Sequence, residues 1–152
     1  MYDKNARRSE HSTNSCMKKT RTDYLHENGV AERKQILLVE DERELREVLA
    51  LGLRRARYAV DVAATVTEAR QLIEVHSYAL VITDWMLPDG NGIDLADRAL
   101  EHHAKTLIIS GYLFGLPAGA ARRHRLLRKP FSIEDLAAAV QNRMKTHTVN
   151  RK

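Results

Sequence analysis

The sequence predicts an α/β fold, a doubly wound five-stranded parallel sheet with helices on both sides. Three observations carry that prediction. From residue 35 onward, short apolar runs alternate with segments whose apolar residues recur at helical spacing. The first run, 36–39, is apolar without alternation, as expected of a strand covered on both faces. Finally, four stretches end on polar groups: Leu37-Leu38-Val39-Glu40-Asp41, Val81-Ile82-Thr83-Asp84, Leu107-Ile108-Ile109-Ser110 and Leu126-Leu127-Arg128-Lys129-Pro130. Right-handed crossovers place those ends at one edge, where doubly wound sheets bind ligands.

The elements follow in order. After the first strand, Leu45, Val48, Leu49, Gly52 and Leu53 mark a helix over 43–56. A second strand spans 58–63. Thr65-Val66-Thr67-Glu68 reads as a capping box opening a helix that buries Ala69, Leu72, Ile73 and Val75. The third strand, 78–83, ends at Asp84. A loop over 85–91 carries Pro88 and Gly90, and a short helix covers 93–100. The fourth strand is 106–109. Gly111, Gly115, Pro117 and Gly119 leave room only for a short helix near 118–123 before the fifth strand, 126–128. Ser132-Ile133-Glu134-Asp135 caps a last helix with Leu136, Val140 and Met144 on one face.

The chain has 152 residues and a net charge of +5. Residues 1–34 hold eight Lys or Arg against five Asp or Glu, and the rest hold seventeen against fifteen. The first segment is polar without a period and is read as a disordered tail. Residues 35–146 form the folded domain and 147–152 a short polar tail. Neither charge balance suggests a dedicated nucleic-acid surface, so DNA binding is not expected. No apolar run is long enough to span a membrane, and no signal peptide is evident, so a cytoplasmic location is expected. A lone Cys16 provides neither a disulfide framework nor a metal cluster.

Brought to one edge, Glu40, Asp41 and Asp84 repel one another unless a cation joins them, and Mg²⁺ suits such hard oxygen ligands. With the Ser110 hydroxyl and the Lys129 ammonium beside it, the set describes a site that accepts a phosphoryl group. Each member also has a plainer reading: Asp84 as a cap for the loop, Asp41 as a helix N-cap, Ser110 as a turn former and Lys129 as a surface charge.

These motifs, with Thr83-Asp84-Trp85-Met86-Leu87-Pro88-Asp89-Gly90-Asn91-Gly92 and Lys129-Pro130-Phe131, resemble the receiver domain of the two-component response regulator family, chemotaxis-regulator-like and of flavodoxin-like fold. The resemblance runs from about residue 35 to residue 144. It implies Asp84 as phosphoacceptor from a sensor histidine kinase or phosphotransfer protein. It implies Glu40, Asp41, Asp84 and the backbone carbonyl of Met86 as Mg²⁺ ligands. By the same match, Ser110 shifts toward the bound phosphoryl group and Lys129 pairs with it after a cis peptide at Pro130.

Three departures stand out. The aromatic residue usual three positions before the lysine is Leu126 here. The stretch 111–124 is short and Gly/Pro-rich, and Met86 and Tyr112 flank the site with bulk that should slow self-dephosphorylation. Arg122, Arg123, His124, Arg125 and Arg128 form either a docking patch for an acidic partner or a solvated basic loop. Trp85 beside Asp84 is placed to contact a kinase helix or to cover the site.

The expected function is a stand-alone receiver that signals through phosphorylation-dependent contacts with an unknown protein target. It would catalyse only its own aspartyl phosphorylation and dephosphorylation. The alternatives are a phosphorylation-independent interaction module and a phosphate sink or relay intermediate. A haloacid-dehalogenase-like phosphatase needs a second Asp where Met86 stands. The first strand is not followed by a glycine-rich phosphate loop either.

Overall fold

The computed structural model describes residues 35–112 and 114–145. The tails expected over 1–34 and 147–152 lie outside the described residues. The elements are β1 (Gln35–Val39), α1 (Arg43–Arg55), β2 (Ala59–Ala63), α2 (Val66–Val75), β3 (Leu80–Asp84), β4 (Met86–Leu87), β5 (Gly90–Asn91), α3 (Gly92–Glu101), β6 (Lys105–Ser110), α4 (Ala120–Arg123), β7 (Arg125–Arg128) and α5 (Ile133–Met144). Five strands form a parallel sheet, as the sequence predicts, and the structure adds their order, β2-β1-β3-β6-β7. The loop after Asp84 carries an additional feature, a small antiparallel ribbon of β4 and β5.

The unbroken apolar runs are explained by helices on both faces. Ile36, Leu38, Leu80, Ile82, Leu107 and Ile109 pack with Leu49, Leu53, Leu136 and Val140 of α1 and α5. Leu37, Val39 and Val81 pack on the opposite face with Ala69, Ile73, Leu95 and Ala99 of α2 and α3. A third cluster joins Ile93, Ala96, Ile108 and Ala120 to Trp85, Leu116 and Leu126. Burial of this many whole side chains, each contributing about 1.5–3 kcal/mol, fixes both the sheet and its register.

Two expected core residues prove exposed. Val48 is 54% exposed and Val75 72% exposed. Val48 falls outside the stripe of Leu45, Leu49, Gly52 and Leu53, and Val75 is the last residue of its helix. Gly52 belongs to its stripe for want of a side chain: a Cβ there would lie 2.8 Å from Ile133 Cγ2, so α1 and α5 approach closely. Thr65 caps α2 by accepting from the Glu68 N–H at 3.1 Å. The reciprocal half of the expected box shifts by one residue, with Glu68 Oε2 accepting from the Ala64 N–H. Ser132 and Asp135 form a complete capping box on α5.

Candidate phosphoacceptor site

The sheet register brings the strand ends together. Val39 lies beside Thr83 and Asp84 beside Ile109, so Glu40, Asp84 and Ser110 leave three adjacent strands at one edge. β7 then leads into Lys129, whose N–H donates to the Ser110 carbonyl at 2.9 Å. The Lys129–Pro130 peptide is cis.

Lys129 Nζ donates to Asp84 Oδ2 at 2.6 Å and lies 3.6 Å from Glu40 Oε2. Asp84 Oδ1 accepts from the Met86 N–H at 3.2 Å. Glu40 Oε1 accepts from the Glu42 N–H at 3.1 Å, and Arg46 Nη1 donates to the carbonyls of Glu40 and Asp41. The residue at the N-cap of α1 is Glu42, without a side-chain capping bond, so Asp41 does not serve as that cap.

Glu40 is 2% exposed. Burial pushes its carboxyl up to about 7; the Glu42 N–H and the Lys129 charge oppose this, and the Asp84 charge adds to it. Burial also works against the Lys129 charge, yet the hydrogen bond and the negative charge of Asp84 hold its ammonium above the ordinary value.

Whether these residues suit a divalent cation is answered by the donor set itself. One carboxylate oxygen from each of Glu40, Asp41 and Asp84 lies within 4.8 Å of the other two. Glu40 Oε2 is buried and makes no hydrogen bond among the described residues. A buried acceptor without a donor is costly, and a hard cation at this edge would satisfy it. The residues therefore fit the Mg²⁺ expected from the sequence.

Ser110 reaches the same edge, but its hydroxyl is engaged elsewhere. Oγ donates to the Tyr112 carbonyl at 2.7 Å and accepts from the Tyr112 N–H at 3.1 Å. Met86 and Tyr112, which meet Asp84 and Ser110 through their backbones, are 68% and 72% exposed. Beyond Lys129 lies an apolar groove of about 620 Å³, lined by Leu45, Val48, Leu49, Pro130, Phe131 and Ile133 together with Lys129 itself. The exposed Val48 lines this groove.

Three supporting residues escaped the sequence reading. A Cβ at Gly92 would lie 1.8 Å from the Asp84 carbonyl oxygen, so only glycine lets α3 start there. Asp89 accepts from the N–H groups of Val66 and Thr67 and from the Thr67 hydroxyl, fastening the loop after Asp84 to the start of α2. Those donors, the Thr67 N–H foremost, hold its carboxyl below the ordinary value. The glycine was visible as loop punctuation, but its contact was not. His124 is the third. It is buried against Thr106 and Asp97, and Arg123 pairs with Asp97, so the basic run is not uniformly solvated. Among that run, Arg122, Arg123, Arg125 and Arg128 remain exposed.

Comparison with known proteins points to one family. Residues 36–141 match the model of the response regulator receiver domain. The chain is 31% identical over 113 residues to the response regulator receiver protein CpdR of Brucella abortus, covering 71% of this chain and 94% of CpdR. It is 38% identical over 74 residues to the response regulator protein PilR of Pseudomonas aeruginosa; the match covers 49% of this chain but only 17% of PilR. Among solved structures, the response regulator TrrA of Thermotoga maritima in complex with Mg²⁺ and BeF superposes with a TM-score of 0.65 at 28% identity, covering 72% of this chain and 97% of that one. Among the described residues, no helix is long and apolar enough to cross a membrane.

Proposed function

The chain belongs to the family of response regulator receiver domains, and on that premise we propose that it accepts a phosphoryl group on Asp84 from a histidine kinase or phosphotransfer protein. The observation that carries the residue assignment is the 2.6 Å bond from Lys129 Nζ to Asp84 Oδ2 within the Glu40, Asp41 and Asp84 group. A carboxylate is a weak nucleophile toward an anionic donor, so its charge and that of the donor need compensation.

Lys129 supplies a fixed ammonium, and the Met86 N–H orients the Asp84 carboxylate. Glu40, Asp41, Asp84 and the Met86 carbonyl would hold Mg²⁺, which supplies charge neutralisation for the in-line transfer. A new bond forms between an Asp84 oxygen and phosphorus as the donor's N–P bond, or the O–P bond of an acyl phosphate, breaks. The electron pair leaves with the donor. Ser110 completes the set by turning its hydroxyl from Tyr112 to a phosphoryl oxygen.

We further propose that the protein catalyses only this transfer and the later hydrolysis, and that it signals through the surface of the receiver itself. The near-complete coverage of CpdR supports that mode. The groove beside Lys129 would receive the body of the protein donor, since it shares that lysine with the site.

Incubation with Mg²⁺ and acetyl phosphate tests the assignment by mass. One phosphoryl group is expected on the wild type and none on Asp84→Ala; equal uptake by both, or none by the wild type, overturns it. With Met86 and Tyr112 flanking the site, the phosphoryl group should persist well beyond seconds once the donor is removed.

A further inference from the structure

We propose that His124, held between Thr106 and Asp97, positions residues 114–123 and is the fixed pivot when that segment responds to Asp84. The response rests on the phosphoacceptor reading above; the pivot itself does not.

Thr106 and His124 of the bridge lie inside the protein, and Asp97 closes it at the partly exposed end. His124 Nδ1 is 2.7 Å from Thr106 Oγ1, and Nε2 is 2.8 Å from Asp97 Oδ1. Thr106 and the His124 side chain are fully buried. The order hydroxyl, imidazole, carboxylate resembles a nucleophilic triad, but a buried Thr106 cannot meet a substrate. The Asp97 carboxylate only accepts, so Nε2 carries a proton; in the neutral ring Nδ1 then accepts from the Thr106 hydroxyl. Arg123 Nη1 also reaches Asp97 Oδ1, at 3.1 Å, and Arg143 Nε donates to the Thr106 carbonyl at 3.2 Å. Every polar member has a partner; removing the imidazole leaves the Thr106 hydroxyl unpaired in the core, while Asp97, 32% exposed, can still reach solvent.

Its placement gives the bridge its role. Thr106, Ile108 and Ser110 alternate along β6 and so share one face. At one end, Ser110 holds Tyr112 through two hydrogen bonds. In the middle, Ile108 packs with Ala120, Trp85 and Leu116. At the other end, Thr106 holds His124. A single strand face therefore ties the segment through a hydroxyl at each end. The Ser110 tie lies at the phosphoacceptor edge and is released when that hydroxyl turns to a phosphoryl oxygen. The Thr106 tie lies in the core and stays. Between them is one turn of helix and a glycine-rich approach with Phe114 fully in solvent. Movement starts at Ser110 and stops at His124.

Residue-level amide exchange on the full chain tests this, with and without Mg²⁺ and beryllofluoride. Thr106→Val keeps the shape and removes the hydroxyl, and His124→Leu removes the whole bridge. Val140→Ala is the control, a core change against α1 on the other side of the sheet. Without ligand, residues 114–123 should exchange about ten-fold faster in Thr106→Val than in the wild type, and not in Val140→Ala. With ligand, the wild-type change should end before 125, whereas in Thr106→Val it should spread into 125–128. Rates within roughly two-fold of the wild type in both bridge variants overturn the proposal, as does a matching acceleration in the control. A wild-type change that already runs through 125–128 also overturns it. If the wild type shows no ligand response, the phosphoacceptor reading fails, while the ligand-free rates still decide the bridge.

Discussion

The acid and lysine edge and the segment that follows it, residues 111–123, adjoin in the chain but are held in different ways. Glu40, Asp84 and Ser110 are the ends of neighbouring strands whose buried side chains allow one register. A shift by one residue would turn each apolar set to the wrong face, so the site's geometry is a consequence of the core. Among its described residues the segment has one helical turn, with Tyr112 and Phe114 exposed and Leu116 and Ala120 packed on the sheet side. The proposed chemistry falls where the backbone cannot choose, and the proposed response where fewer contacts constrain it.

Two glycines probe that contrast most sharply. Gly92→Ala puts a methyl into the Asp84 carbonyl, and the phosphoacceptor backbone must move to admit it. We expect a loss of about 3 kcal/mol or more in denaturant unfolding, with phosphoryl uptake impaired. Normal stability in that variant would show that the edge is less rigid than described.

The next effect concerns Glu40. The unfolded chain titrates this carboxyl near 4.5 and the folded, metal-free chain at about 7. The folded state binds more protons between those values, so metal-free stability falls as pH rises through that window, by up to about 3 kcal/mol. Unfolding measured in chelator at pH 5 and pH 8 reads this difference, and Glu40→Gln should flatten it. A wild-type profile already flat would mean that the buried carboxylate is compensated by other groups. Added Mg²⁺ should stabilise the protein more at the higher pH, where the carboxylate is ionised.

A smaller effect tests the groove. Val48→Glu should slow transfer from a protein phosphodonor by about ten-fold, the loss expected for burying a charge at an apolar contact, while leaving uptake from acetyl phosphate unchanged. Slowing of both would place Val48 in the support of the site itself. Smallest of all is Gly111→Ala. A Cβ there meets nothing within 4 Å, so stability should stay within about 0.5 kcal/mol of the wild type. A large loss would mean that the first residue after the edge is as constrained as Gly92.

The sequence by itself determined the doubly wound parallel class, the alternation of elements and the set Glu40, Asp41, Asp84, Ser110 and Lys129. Those signals are local: a run, a period, a polar residue at a strand end. Val48 and Val75 were misplaced because periodicity marks a face but not where its border falls. Only the tertiary structure decided that Gly92 must lack a side chain, that Asp89 fastens the loop to α2, and that His124 is buried with Thr106 and Asp97. The Asp89 and His124 contacts join residues 18 to 27 apart along the chain, and Gly92 packs on the backbone at the far side of its own loop. No local pattern encodes them, because each requires two elements already packed on opposite sides of the same contact.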